Sequence, residues 1–259
     1  MTKASGPGWA IVAIATLAMV EPRAAGATPS TVFWAPSTPA LQPYGVLHVT
    51  YDTYLRDDAA YPIDAGLTIG ALPWKTFQLE LGFDLFYPTL SEGEPIDFPI
   101  LLNAKVGAPE DAYFPGSPGW SAGIFGVGFE EDVTDYDVLY AVLGRTFPRV
   151  GTLSAGVYQG ADGDLFQSSR GAKERTGLLA AWVSPAIDVP RLDKVLLAWD
   201  VQTGENVLGA TGGGIYLYFT PTVDLLVGPV FFFDERLQPG GADWMWSIQL
   251  DVDVPLTGP

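Results

Sequence analysis

The chain has no cysteine and a single histidine, and only 13 of its 259 residues are lysine or arginine. Without cysteine there is no disulfide scaffold, no thiolate zinc site, no haem-attachment motif and no thiol nucleophile. The 13 bases are set against 30 acids, a formal net charge of -17, so no broad phosphate-neutralising surface exists and nucleic acid is excluded as a partner. Membrane-length apolar runs are missing as well. Trp9 to Val20 falls short of the roughly 20 residues that a membrane helix needs, and later runs are broken by Gly, Pro or a charge. Nor is there a phosphate or calcium loop. Gly212-Gly213-Gly214 precedes no helical pattern, while Glu130, Glu131, Asp132, Asp135 and Asp162-Gly163-Asp164 lack calcium-loop spacing. No cofactor and no metal is expected.

At the N-terminus, Lys3, the apolar core Trp9 to Val20 and the small-x-small triplet Ala25-Gly26-Ala27 read as an export signal over residues 1–27, cut before Thr28. Residues 28–43 follow with Pro29, Pro36, Pro39 and Pro43, too many prolines for a helix. They are expected to form a Pro-rich periplasmic segment whose Val32-Phe33-Trp34 patch docks on a rim or a partner, or swings as an arm. Beyond them the pattern has period two. Phe77, Leu79, Leu81, Phe83 and Leu85 alternate with Gln78, Glu80, Gly82 and Asp84, and Trp244, Trp246, Ile248, Leu250, Val252 and Val254 with Met245, Ser247, Gln249, Asp251 and Asp253. The same alternation sets Leu47, Val49 and Tyr51 against His48, Thr50 and Asp52, and Ile63, Ala65, Leu67 and Ile69 against Asp64 and Thr68. Such strands carry one apolar and one polar face. Weaker alternation marks 98–107, 150–160, 193–203, 210–219 and 222–233, and turns and aromatics place three more strands at 119–129, 136–146 and 175–184, for about twelve in all.

Connections between these strands alternate long and short. The long ones hold most of the acidic loop residues, and the short ones include Pro73-Trp74, Phe147-Pro148-Arg149 and Thr220-Pro221. Aromatics gather at strand ends: Tyr44, Tyr54, Trp74, Tyr87, Trp120, Phe129, Tyr136, Phe147, Phe219, Phe233 and Trp244. Over 44–254 the chain resembles the porin-like small outer-membrane β-barrels of Gram-negative bacteria. The resemblance is architectural and carries over no functional residue. It implies an all-β fold, an antiparallel transmembrane barrel of about 12 strands over 44–259, embedded in outer-membrane lipid and lipopolysaccharide. The loops near 92, 131, 165 and 238 would then lie outside the cell, and the turns at 73–74, 148 and 220–221 in the periplasm. A soluble β-sandwich is the rival fold.

In a barrel with its apolar face outward, the lumen receives His48, Asp52, Asp64, Glu80, Asp84, Lys105, Arg145, Lys194, Asp200, Tyr216, Tyr218, Asp224, Gln249 and Asp251, with Ser247 and Asp253 on the same face. Acids outnumber bases, so an open lumen would pass small neutral or cationic solutes and repel anions. The alternative is a closed structural or binding barrel, a scaffold or partner sheath in which pairs such as Glu80 and Lys105 satisfy one another. Gly212 and Gly214 beside Tyr216 and Tyr218 would form either a stacking slot for a solute or room for bulky neighbours. A barrel hydrolase would need His48 beside Ser247 and an acid such as Asp52, and a single lumenal histidine fits a polar network better, so no enzyme is expected. A periplasmic or outer-membrane protein partner and the oligomeric state stay open.

Overall fold

The structure, a computed structural model, describes residues 30–55, 63–87 and 98–256. The export signal at 1–27 and the loop near position 92 lie outside the described residues. Alternating side chains build twelve strands: β1 (Val46–Leu55), β2 (Ile63–Gly70), β3 (Gln78–Tyr87), β4 (Ile100–Ala108), β5 (Gly119–Val127), β6 (Val138–Phe147), β7 (Gly151–Gln159), β8 (Thr176–Val183), β9 (Lys194–Gln202), β10 (Ala210–Thr220), β11 (Val223–Phe232) and β12 (Trp244–Pro255). Each strand pairs antiparallel with its sequence neighbours, and β1 pairs with β12, so the sheet closes on itself without an edge. The connections 128–137, 160–175, 203–209 and 233–243 crowd one end, here the long-loop end. Both ends of the barrel sequence, Val46 and Pro255, pair at the opposite, short-turn end. There the expected two-residue turn at 73–74 is a connection over 71–77, because Pro73 has no N–H to extend the ladder.

The wall is inside out relative to a soluble protein. Leu143 and Leu178 on the outer face are 58% and 60% exposed, whereas Asp200, Asp224 and Ser247 on the inner face are fully buried. With Leu139, Leu153, Val157, Ile215, Phe231, Trp246 and Leu250 also exposed, the outer face forms a continuous apolar belt that water does not tolerate on a monomeric soluble fold. The soluble sandwich is thereby excluded.

Alternation is blurred where the inner face is itself apolar. Val138, Tyr140 and Val142 of β6, Tyr158 of β7 and Leu179 of β8 pack with Ala35 and Phe166 in one buried cluster. What they pack against corrects the reading of the N-terminal segment. Residues 30–43 are not a periplasmic arm: they run inside the barrel, with Phe33, Ala35, Ser37 and Gln42 almost wholly buried. Their prolines forbid a helix: residues 30–36 bend and 37–43 have no regular structure, which leaves the backbone groups to the polar wall. Two further residues change sides. Tyr54 and Tyr136, assigned above to the outer aromatic girdle, face the lumen, since Tyr54 shares the inward parity of His48 and Asp52.

Candidate functional site

The inner wall binds the chain's own N-terminal segment, the plug, along a path that circles the lumen. From the short-turn end it passes Gly70, where an added Cβ would lie 2.1 Å from the carbonyl oxygen of Pro43. The N–H of Gln42 donates to Glu80 Oε2 at 2.8 Å. Lys105 Nζ donates to the carbonyl of Ala40 at 2.8 Å, Ser121 Oγ to that of Thr38 at 3.2 Å and Ser154 Oγ to that of Ser37 at 2.7 Å. Across the lumen, Asp200 on β9 collects three consecutive backbone N–H groups, those of Phe33, Trp34 and Ala35, at 3.0, 3.0 and 2.9 Å on one carboxylate oxygen, and the Ser37 hydroxyl at 3.1 Å. Successive N–H groups of this kind form a concave anion-binding nest, here filled by a side chain of the wall. The Tyr216 hydroxyl donates to the carbonyl of Val32, and Gln249 Nε2 to that of Phe33 at 2.7 Å. The path ends where it began: Ser30 Oγ donates to Glu80 Oε1 at 2.9 Å, and Lys105 Nζ reaches the Ser30 carbonyl at 3.2 Å.

Phe33 explains the glycines. Its ring lies in a groove over Gly212 and Gly214, where an added Cβ would stand 2.5 and 2.6 Å from ring carbons. The slot beside Tyr216 and Tyr218 is thus filled from within, and those two rings stack at 6.0 Å with Lys194 Nζ 4.1 Å from the Tyr218 centroid.

Of the residues expected in the lumen, thirteen fall on the inward parity of their strands: His48, Asp52, Asp64, Glu80, Asp84, Lys105, Lys194, Asp200, Tyr216, Tyr218, Asp224, Gln249 and Asp251. Glu80 and Lys105 sit directly across β3 and β4, 3.5 Å apart and both buried. His48 has both ring nitrogens on carboxylates, Nδ1 at 2.9 Å from Asp253 and Nε2 at 3.4 Å from Asp251, and Gln42 of the plug donates to Asp253 at 2.7 Å. Asp84 accepts from Asn103 at 2.5 Å, and Asp52 from Thr50 at 2.8 Å. Asp52 faces Asp64 across β1 and β2, and Asp224 faces Asp251 across β11 and β12. Arg145 is a correction. It shares the outward parity of Leu139 and Leu143 and reaches the short-turn end, bonding Asp111 at 2.7 Å and lying 3.5 Å from Glu110. That bond holds the Asp111 carboxyl below its ordinary range. The apolar inner face of β6 hid the parity that would have placed Arg145.

His48 and Ser247 are not brought together. His48 pairs with Asp253, and Ser247 with Tyr54, six residues further along β1, which is roughly 20 Å. The Ser247 hydroxyl instead accepts from Gln249 at 2.9 Å.

Two cavities flank the plug toward the long-loop end. A polar one of about 80 Å³ is lined by Asp52, Asp64, Asp84 and Asn103 beside Ser30 and Trp34. The other, about 330 Å³, is aromatic and apolar, with Tyr54, Phe86, Phe125, Tyr136 and Phe232 in its wall. Trp34 lines both; its indole donates to the carbonyl of Leu208 at 2.8 Å and meets Tyr54 and Phe232 edge to face. Burial pushes the Tyr136 hydroxyl up to about 12, so it is neutral in neutral water. The sequence offered one unused signal for this chamber, the aromatic residues at inward positions of the strands' long-loop ends.

No protein-family model and no curated protein matches the sequence. Among solved structures, an outer-membrane channel from Pseudomonas putida F1 superposes with a TM-score of 0.51 over 88% of this chain and 99% of that one, at 13% identity. The porin NanC gives 0.48 over 79% of this chain and 98% of that one, at 8% identity. At this identity the likeness is one of fold: the chain has the architecture of a porin-like barrel.

Proposed function

We propose that the protein is an outer-membrane channel for passive passage of small neutral or cationic solutes, closed at rest by residues 30–43. The observation that carries this reading is the independence of wall and plug. The ladder runs unbroken around all twelve strands, whereas among the described residues the plug is held by side-chain contacts alone apart from one bridge between Tyr44 and Gly70. Leaving the lumen therefore costs the plug its anchors and leaves the barrel whole. Each anchor is modest, about 0.5–1.5 kcal/mol for a neutral hydrogen bond and about 1.5–3 for one to a charge, and ordering the segment opposes them by about 1–2 kcal/mol per residue. A balance of that kind is reversible.

Once emptied, the inner wall presents Asp52, Asp64, Glu80, Asp84, Asp200, Asp224, Asp251 and Asp253 against Lys105, Lys194 and His48, an excess that favours cations. The outer belt fits outer-membrane lipid, with the acidic long loops toward lipopolysaccharide and the short turns toward the periplasm. With both ring nitrogens of His48 on carboxylates and Ser247 far along the strand, the site favours passage over catalysis. The test is planar-bilayer recording in asymmetric KCl. Asp200→Asn should open the lumen far more often than the wild type and pass a cation-selective current. Silence in both proteins, or anion selectivity, would contradict the channel and favour a closed scaffold.

A further inference from the structure

We infer that the two cavities above the plug form one binding site for an organic cation, an ammonium group carried on an aromatic or aliphatic body. The inference deepens the channel reading by naming a solute class, and rests on that reading only for the route by which the solute arrives. The cavities adjoin, because Trp34, Tyr54, Asp64 and Phe125 line both. Their chemistry is split in the way such a molecule is split. The smaller, about 80 Å³, has room for a small head group and carries Asp52, Asp64 and Asp84. The larger, about 330 Å³, takes an apolar body among the faces and edges of Trp34, Tyr54, Phe86, Phe125, Tyr136 and Phe232.

Charge narrows the class further. Neither cavity is lined by a lysine or arginine among the described residues, so an anion would meet carboxylates without a counter-charge. The one basic side chain in the lining of the smaller cavity, His48, is committed to Asp251 and Asp253. Asp64, at the junction, keeps its Oδ1 buried without a hydrogen-bond partner among the described residues and stands directly across from Asp52. Two like charges opposite one another are unfavourable until a cation joins them. An ammonium donates to such oxygens, and aromatic faces attract its charge. A neutral apolar guest would use the rings and leave the carboxylates buried and unanswered.

The test uses three probes with one ring system: 1-naphthylmethylamine, protonated at neutral pH, 1-naphthalenemethanol and 1-naphthoate. Binding to the full barrel in phosphatidylcholine nanodiscs is measured by calorimetry, with empty nanodiscs subtracting partition into lipid. The amine should bind one site per barrel, roughly tenfold or more tighter than the alcohol, and the carboxylate should show no saturable binding. Asp64→Asn should bring the amine to the alcohol's affinity and leave the alcohol unchanged. Asp52→Asn, in the smaller cavity directly across from Asp64, serves as a second variant where Asp64→Asn loses the heat-dependent gel mobility of a folded barrel; it should weaken the amine alone. Equal binding of amine and alcohol, or no saturable binding, would overturn the inference. Selective amine binding beside a silent Asp200→Asn lumen would support the site and count against the channel reading.

Discussion

Around residues 30–43 the inner wall is polar: Glu80, Lys105, Asp200, Tyr216 and Gln249 each hold a backbone group of that segment. Toward the long-loop end the same strands turn aromatic and enclose a chamber of about 330 Å³. One barrel therefore contains two different solvents. The polar half is a receptor for peptide backbone, which gives Glu80, Lys105 and Asp200 partners in place of water. The aromatic half offers few groups that a backbone could use, and of residues 30–43 Trp34 alone lines it.

The strongest way to break this contrast is to remove the large apolar side chain that lies in the groove over Gly212 and Gly214. Phe33→Ala should cost the plug about 3–5 kcal/mol, the range for truncating a buried aromatic, and raise the open probability in bilayers more than a hundredfold. Gly212→Val, which sets a branched side chain where the ring lies, should act in the same direction through overpacking of about 1–3 kcal/mol. Unchanged closure in both would mean that the groove does not hold the plug.

The ion pair comes next. Lys105→Met leaves Glu80 buried without its cation and should destabilise the folded protein by about 3–5 kcal/mol in thermal or denaturant unfolding. Pairing it with Glu80→Gln should recover most of that loss. An additive double variant would show that the two charges do not act as a pair.

The smallest effect belongs to the long loops. Asp234 accepts from the Ser169 backbone N–H at 2.9 Å and from Arg236 at 3.2 Å, and the Ser169 bond, ahead of Arg236, holds its carboxyl down to about 2. Because the folded value lies below the ordinary one near 3.9, the contribution is present above pH 4 and fades as pH falls toward 2. Hydrogen exchange at the Ser169 amide should quicken over that window, relative to neighbouring amides, and Asp234→Asn should remove the dependence.

Much of the wall was legible in the sequence because a closed sheet between lipid and a polar lumen enforces period two, and β1, β2, β3 and β12 display it without interruption. The pattern faded at β5, β6 and β8 for a physical reason. There Phe125, Val142 and Leu179 also point inward, toward the aromatic chamber or the cluster around Ala35, so both faces are apolar and parity is lost. Arg145 was misplaced for the same cause. The plug was not legible as such, since VFWAPSTPALQP has no period and its partners lie far along the chain: Asp200 is 167 residues from Phe33. Two traces of it were present, the inward glycines at 212 and 214 and an excess of inward acids without bases to match.

The claim on which the account rests, that residues 30–43 close the lumen, is tested most directly by a reversible lock. The native chain has no cysteine, and a Cβ at Gly144 would lie 2.8 Å from Pro39 Cγ, so Pro39→Cys with Gly144→Cys places two thiols together between plug and wall. In a bilayer, with Asp200→Asn added to raise the baseline current, oxidation should abolish the openings and reductant should restore them. An identical current in the cross-linked and reduced states would contradict the account.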